Sequence, residues 1–294
     1  MTARAPAWFE AKYIAGATHV LQTDGYLTKG LFATATRQEG TTVTWKVAGR
    51  GNATQMSGAV ENRPTLNANR TTVTATMVDW EANEWILTTD LLKMTEAEQQ
   101  VAQQTCAYAI GRRFDIIPFA AMDAAGGGIT TIGDGTTQIS PLNLLAAQAA
   151  IKAQGIMGSA RMYVALTMNH MAQLLTFKAV SSADFADDSP LLKSIGARNW
   201  LGMTLIPMPD EYFAVTSGQA ASRDVYAWLQ PTVGFTTPTD AEGRVAMATR
   251  IDYVAEKKAY FAANTMSAAA AVILPEGIRR LSFANTAPAS LSNL

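Results

Sequence analysis

The sequence predicts an α+β fold in which long strands and one long helix accompany a compact mixed lobe. Three observations predict it. Segments 41–47 and 72–78 alternate apolar and polar residues, as strands do, on either side of a long polar connection. Residues 88–123 repeat apolar side chains at helical spacing. Residues 142–230 mix both periods, and a long extended run follows Pro238.

Composition limits the function classes. The 294-residue chain carries a net charge of -1, which excludes a globally basic nucleic-acid binder. Only 16% of its residues are charged, so either much of its surface lies against copies of itself or it is a charge-poor monomer. The single cysteine, Cys106, excludes an intrachain disulfide and fits a reducing compartment. Residues 1–16 lack the apolar core of a signal peptide.

The N-terminal part predicts an arm and then a hairpin. Residues 1–36 are mixed and polar, and we expect a surface arm. Val43 and Trp45 share one strand face, and Val73 and Ala75 share a face of the next strand. The Gly-, Asn- and Thr-rich connection between them has almost no apolar content. So thin an apolar face makes a poor isolated core, so we expect the hairpin to project and to lie on another surface.

Residues 88–123 predict a helix of about 25 residues or more, roughly 38 Å long, which would act as a spine. The Thr95-Glu96-Ala97-Glu98 sequence is typical of a capping box. Its apolar face would hold Cys106, Ile110, Phe114 and Ile117. Pro118 is expected to kink or end it, although the following residues could continue it.

The lobe that follows alternates helix and strand. Gly133-Asp134-Gly135 lies between two short extended runs and predicts a hairpin. A helix should begin at Pro141 and stop at Gly155. The sequence ARMYVALT predicts a buried strand, after which Asn169 could cap a helix. MTLIPMPD and DVYAWLQP predict two further strands, with the acidic loop SSADFADDSP before them.

The last part of the chain, from RVAMATRIDYV onward, predicts long strands. Residues 268–274, AAAAVIL, are far fewer than the ~18 that a membrane helix needs. Four alanines favour helix, but the flanking KKAYFA and VIL favour strand. We interpret the run as a strand of small residues under the spine helix, ended by Pro275-Glu276-Gly277.

Residues that could carry catalysis or hold a metal do not form a known pattern. His19 and His170 are far apart and in no metal motif. The glycine-rich stretch GGGITTIGDGTT lacks the Lys-Ser/Thr of a phosphate loop. Asp184, Asp187 and Asp188 could hold a cation but lack calcium-loop spacing, so a solvated loop is preferred. We therefore predict no catalytic, cofactor or metal site, and a protein that is not an enzyme.

The order of these parts resembles the major capsid protein of tailed double-stranded-DNA bacteriophages, a fold shared with encapsulins. The resemblance implies an N-terminal arm (1–36), an extended loop (37–79), a peripheral domain with the spine helix (80–129 and 236–294) and an α/β axial domain (130–235). It covers nearly the whole chain, and the closing AAAAVILPEGIRRL resembles the last peripheral-domain strand of many such coats.

The resemblance implies a subunit that forms hexamers and pentamers of an icosahedral shell around double-stranded DNA, in a virion assembled in the bacterial cytoplasm. The acidic loop with Asp184, Asp187 and Asp188 would meet at the capsomer centre. The extended loop would lie across the neighbouring subunit's peripheral domain. Copies of the chain, a separate scaffolding protein, a portal and possible decoration proteins are the implied partners; no membrane partner is expected.

This interpretation gives expected roles to individual charged residues. Arg50, Glu61 and Arg63 are the charged groups of the loop tip, and either contact a neighbour or are simply solvated. Non-specific DNA contact would fall to Arg4 and Lys12 of the arm and to the spine arginines. The spine residues are Arg112, Arg113 and Asp115, which could pair with one another, pair with a neighbour or form ordinary helix-surface charge.

Some relatives join subunits through a Lys–Asn isopeptide bond. Lys46 and the loop asparagines Asn52, Asn62, Asn67 and Asn69 are present, but we predict no crosslink. Three alternatives stay open: an encapsulin-type nanocompartment, a tail or baseplate protein that forms rings or tubes, and a soluble α/β enzyme with its site in residues 142–230.

Overall fold

The computed structural model describes residues 25–53, 55, 65, 69–91, 97–155, 160–177, 198–216, 218–238 and 247–288. The strands in these ranges are β1 (Arg37–Glu39), β2 (Thr42–Ala48), β3 (Arg70–Thr76), β4 (Val78–Leu87), β5 (Thr130–Ile132), β6 (Met162–Thr167), β7 (Arg198–Trp200), β8 (Met203–Met208), β9 (Ser222–Leu229), β10 (Val233–Thr236), β11 (Met247–Val254), β12 (Ala259–Val272) and β13 (Ile278–Ala284). The helices are α1 (Thr88–Leu91), α2 (Ala97–Ala124), α3 (Pro141–Lys152) and α4 (Met168–Leu175). None of these helices is long and apolar enough to cross a membrane.

The chain divides into two compact units. The helix-strand unit contains Met1–Tyr26, Val78–Asp115 and Thr237–Ala268. The core-sheet unit contains Leu27–Met77, Ile116–Thr236 and Ala269–Leu294. Helix α2 and strand β12 contribute residues to both.

A six-stranded sheet, in the order β5-β13-β9-β6-β8-β7, forms the centre of the core-sheet unit. Every residue of β6 is buried, as the sequence predicts. Aromatic side chains gather around Trp228, whose ring stacks on Phe32 with centroids 5.3 Å apart. Phe32 is only 6% exposed and Thr28 is 0% exposed. The prediction that residues 1–36 form a surface arm is therefore wrong for 27–36, because Phe32 is part of the aromatic core.

The hairpin of β2 and β3, joined by β1 in a three-stranded antiparallel sheet, confirms the alternating pattern. The inner face of this sheet already packs against residues of its own chain. Val43 and Trp45 are buried against Ala269 of β12. A Cβ on Gly234 would lie 2.3 Å from the Trp45 ring, so only glycine allows this approach. The expectation of a hairpin without a core in its own chain is thus wrong at its base.

The predicted hairpin at Gly133-Asp134-Gly135 is also wrong. Strand β5 pairs parallel with β13, and residues after it continue along that strand. The Gly135 N–H donates to the Ser282 carbonyl at 3.0 Å. A Cβ on Gly133 would lie 2.3 Å from that same carbonyl. Both glycines have positive φ, so they bend the chain along β13 instead of folding it back.

Two helix predictions have different outcomes. Helix α3 begins at Pro141 after Ser140, and Gly155 follows its end with φ 67°, as predicted. Helix α4 is capped by Thr167 and not by Asn169, since the Thr167 side chain accepts the His170 N–H at 3.2 Å. The N-cap residue must precede the first turn, and Asn169 already lies inside it.

Helix α2 is the predicted spine. Cys106, Ile110 and Phe114 are buried, so the predicted apolar face is confirmed at these positions. The helix passes through Pro118 and ends at Ala124. The capping-box residues Thr95 and Glu96 lie outside the described residues.

Strand β12 confirms that the alanine-rich run is extended. It pairs with β4 and β11, and its burial alternates along the sheet. Buried Asn264 meets the spine helix, where its Nδ2 donates to the Gln103 carbonyl at 3.5 Å. Ala269 packs instead on Val43 and Trp45 of the hairpin. Small residues therefore allow close packing here, and Ala269 uses it to pack against the hairpin.

The two arginines of the closing sequence organise the ends of two helices. The Arg279 guanidinium, 5% exposed, donates to the Ala150 carbonyl at 3.0 Å and the Glu276 carbonyl at 2.8 Å. Arg280 donates to the Asp123 carbonyl at 3.2 Å and lies 3.3 Å from its carboxylate. Consecutive strand residues point to opposite faces, so β13 holds α3 with one arginine and α2 with the next.

Strand β13 also bears on the predicted domain limits. It pairs with β9 through the register Ile278↔Trp228, and so lies in the same sheet as β6 and β8. The boundary at residue 236 therefore does not separate the strands of this sheet, because the chain returns to the sheet after Pro275.

Candidate assembly surfaces

The outer face of the β1-β2-β3 sheet is exposed and carries basic residues among threonines. Register places Arg37, Thr44 and Thr74 in one row, Lys46 beside Thr72, and Ala48 beside Arg70. Arg37 forms an ion pair with Glu39 on the same strand. Lys46 and Arg70 are exposed and form no ion pair with any described residue. This surface is called the cationic hairpin face, defined by Lys46 and Arg70.

The outer face of β4 carries the opposite charge. Asp79 and Glu81 are exposed and, two residues apart on an edge strand, lie on one side of the sheet. The Ser267 hydroxyl donates to Asp79 at 2.5 Å, and the Asn83 amide donates to Glu81 at 3.0 Å. Both donors are neutral, so the negative charge is not compensated by them. This surface is called the acidic β4 face, defined by Asp79 and Glu81.

An aromatic pair lies on the same side of β4 as these carboxylates. Trp85 is 44% exposed and its ring centroid lies 4.4 Å from that of Phe261, its register partner on β12. The Lys257 ammonium stands 4.2 Å from the Trp85 ring. Aromatic residues are enriched in protein interfaces relative to the rest of the surface.

Few of the predicted site residues can be placed. Arg50 is exposed just after β2. Outside the described residues lie the remaining loop-tip charges, the arm residues and the acidic loop: Glu61, Arg63, Arg4, Lys12, Asp184, Asp187 and Asp188.

The spine residues are placed, and they are not ordinary helix-surface charge. The Arg113 guanidinium lies 3.6 Å from the Trp80 ring centre, and burial lowers the pKa of Arg113. Asp115 is 0% exposed. Burial, with the Asp115 charge second, raises the pKa of Tyr26, whose ring packs 5.0 Å from Phe114. Arg112 is half-buried. Side chains held in this way stabilise the spine's packing.

Among the residues that the structure describes, Cys106 and His170 are both buried. Burial raises the pKa of the Cys106 thiol, and the nearby Glu84 charge raises it further. His170 is 0% exposed, and burial lowers its pKa from 6.5 to about 4. In the part of the chain that the structure describes, no cluster of His, Cys, Asp or Glu could hold a metal ion.

Sequence reasoning missed Arg70, Asp79 and Glu81 and considered Lys46 only as a crosslink donor. A signal was available: alternation assigns residues of even number in 42–48 and 70–76 to the polar face, so Lys46 and Arg70 share that face. The segment 79–87 was not predicted as a strand, so nothing placed its two carboxylates side by side.

The chain belongs to the phage capsid protein family, which matches residues 5–285. That family is one of capsid proteins and not of enzymes, so the protein is a shell subunit of a phage capsid and a component of the virion. No curated protein matches the sequence.

Solved phage capsid structures share the fold. The cyanophage Pam1 capsid asymmetric unit is 10% identical with a TM-score of 0.68, over 97% of this chain and 99% of its own. The capsid of Ralstonia phage GP4 is 10% identical with a TM-score of 0.66, over 98% and 100%. The bacteriophage PhiM1 mature capsid is 10% identical with a TM-score of 0.64, over 92% and 90%. The predictions of the capsid fold and of a capsid shell subunit are confirmed.

Proposed function

We propose that copies of this chain form hexamers and pentamers of an icosahedral capsid that encloses double-stranded DNA. In this proposal the extended loop, residues 37–79, lies across the peripheral domain of a neighbouring subunit. The observation that carries it is the cationic hairpin face. It is exposed and has two cations that form no ion pair with a described residue, while the opposite face of the same hairpin is already packed in its own chain.

The predicted domains keep their roles with two amendments. The axial domain consists of residues 130–235 together with β13, because these strands form one sheet. The peripheral domain consists of the spine helix with β4, β11 and β12, and the arm is limited to the residues before 27, because Phe32 lies in the aromatic core. Closed symmetric shells suit such a subunit, since many weak contacts add up over the whole particle.

The implied partners complete the proposal. A separate scaffolding protein directs assembly in the bacterial cytoplasm, a portal occupies one vertex, and decoration proteins have exposed surface on which to bind. Contact with packaged DNA is non-specific and uses basic residues such as Arg4 and Lys12. Shells of normal size from this chain expressed alone would contradict the scaffold proposal.

Negative-stain electron microscopy tests the function directly. The chain is expressed together with the neighbouring structural genes of its phage, and closed icosahedral particles are expected. Nucleic acid should copurify with particles that have packaged it. Closed particles that instead hold protein cargo would indicate a nanocompartment, open rings or tubes would indicate a tail component, and a uniform small species would contradict a shell.

A further inference from the structure

The two cations of the hairpin that have no ion-pair partner among the described residues form a compact pair. Lys46 on β2 opposes Thr72, and Arg70 on β3 opposes Ala48, so the two are diagonal neighbours on one face. Diagonal neighbours across an antiparallel pair are about 7–8 Å apart. The remaining basic residue of the face, Arg37, is already neutralised by Glu39. The face therefore presents two positive charges at one defined spacing.

The two carboxylates of β4 form a pair with matching spacing. Asp79 and Glu81 are two residues apart on one strand, which separates them by about 7 Å. Hydrogen bonds from Ser267 and Asn83 hold both carboxylates in position without neutralising them. A fixed negative pair therefore stands on an exposed face, at the spacing of the positive pair.

We propose that Lys46 and Arg70 of one subunit bind Asp79 and Glu81 of a second copy of this chain. The inference rests on the proposed function, because it names the surfaces through which the extended loop contacts its neighbour. Two carboxylates held at the spacing of two cations give each positive group its own partner. Complementary charge of this kind fixes register between subunits more than it adds affinity.

Among the described residues, ion pairing within one chain does not satisfy these groups. None of the four residues forms an ion pair with a described residue of its own chain. Packaged nucleic acid suits the surface less well. Its free cations are few and stand among uncharged threonines, whereas phosphate backbones favour denser basic arrays.

Charge reversal with rescue tests the pairing. Three variants are coexpressed with the same structural genes as the wild type: Lys46→Glu with Arg70→Glu, Asp79→Lys with Glu81→Lys, and all four changes together. Closed particles are counted by sedimentation and electron microscopy. Each double variant is expected to lose about tenfold in particle yield through like-charge contact. The fourfold variant should return to within about twofold of the wild type, since it restores opposite charges.

Matched controls separate pairing from general damage. Lys152→Glu with Glu211→Lys reverses exposed charges elsewhere in the chain and should leave the yield unchanged. Neutral Lys46→Gln with Arg70→Gln should give a smaller loss than reversal. Each variant's thermal unfolding should match the wild type, because all four residues are exposed.

The outcomes are distinct. Normal yield from both double variants, or no recovery in the fourfold variant, would overturn the pairing while leaving the capsid function intact. Normal particles with reduced DNA in the Lys46 and Arg70 variant would assign those cations to nucleic acid and overturn it too. Absence of closed particles from the wild type would overturn the proposed function, and this inference with it.

Discussion

Acid should weaken the core-sheet unit through His170, and the size of the effect can be worked out. The side chain is 0% exposed, and neither ring nitrogen forms a hydrogen bond with a described residue. Burial lowers its pKa from 6.5 to about 4, against smaller opposing effects of the Phe283 backbone and of Asp210. The shift of about 2.5 units corresponds to about 3 kcal/mol at about 1.4 kcal/mol per unit.

The direction of the pH effect on stability follows from which state of the chain binds the proton. Between pH 6.5 and about 4 the unfolded chain binds a proton at this histidine and the folded chain does not. The stability that depends on neutral His170 is therefore fully present above pH 6.5. It falls as the pH drops from 6.5 to about 4, and it levels off below pH 4. Between pH 7 and pH 5 the loss from His170 is about 2 kcal/mol.

The assay is urea unfolding of the unassembled chain at several pH values, followed by tryptophan fluorescence, with His170→Leu as the comparison. Leucine does not titrate, and it leaves no buried polar group unpaired. The wild type should lose about 2 kcal/mol more than the variant between pH 7 and pH 5, other titrating groups being common to both. Equal losses of unfolding free energy in the wild type and the variant would refute the reasoning. The imidazole of His170 would then have the same pKa in the folded and unfolded chains.

Three further substitutions test the packing. Gly234→Ala should lower the free energy of unfolding by about 1–3 kcal/mol, because the added methyl group overlaps the Trp45 ring. Limited proteolysis within residues 49–69 should also become faster. An unchanged proteolysis rate would contradict the tight contact. Arg279→Met should lower the free energy of unfolding in urea by about 2 kcal/mol, since the Ala150 carbonyl loses its hydrogen-bond donor. An unchanged unfolding midpoint would show that this carbonyl finds another partner. Leu201→Asn should raise the free energy of unfolding by up to about 1 kcal/mol, and the melting temperature with it, because Leu201 has φ 49° and is 55% exposed. A lower melting temperature would indicate that the leucine side chain packs.

The sequence predicts this fold well where one local rule decides the structure. The alternation of Val43 and Trp45 with threonines placed the hairpin correctly, and the spacing of Cys106 and Ile110 placed the inner face of the spine helix. The alanine-rich run was correctly interpreted as a strand because its neighbours were weighed against alanine's helix propensity. In each case the pattern is set by burial on one side of a single element, which periodicity reports directly.

Prediction from the sequence failed where a residue far away in the chain determines the local structure. Phe32 lies in polar sequence and gave no sign that Trp228 would bury it. The glycines near Asp134 favour a turn, but β13 offered an edge along which the chain could pair in parallel. The strand at residues 79–87 has acidic and aromatic residues mixed, and only its long pairing with β12 makes it extended. Long-range pairing overrides local preference at all three places.

The assembly surfaces must be argued from this chain's own residues. Capsid structures share its fold at 10% identity over nearly the full length, so the fold tolerates replacement of most side chains. In this chain the fold relies on alternation, a few close backbone contacts such as Gly234 against Trp45, and satisfied helix ends such as those under Arg279. Exposed charges are under none of these constraints. A pair of charges such as Asp79 and Glu81 can change without disturbing the fold, provided that the surface it binds changes with it. Contact residues therefore do not transfer between such distant relatives, and a charge-swap experiment on this chain is the direct way to identify them.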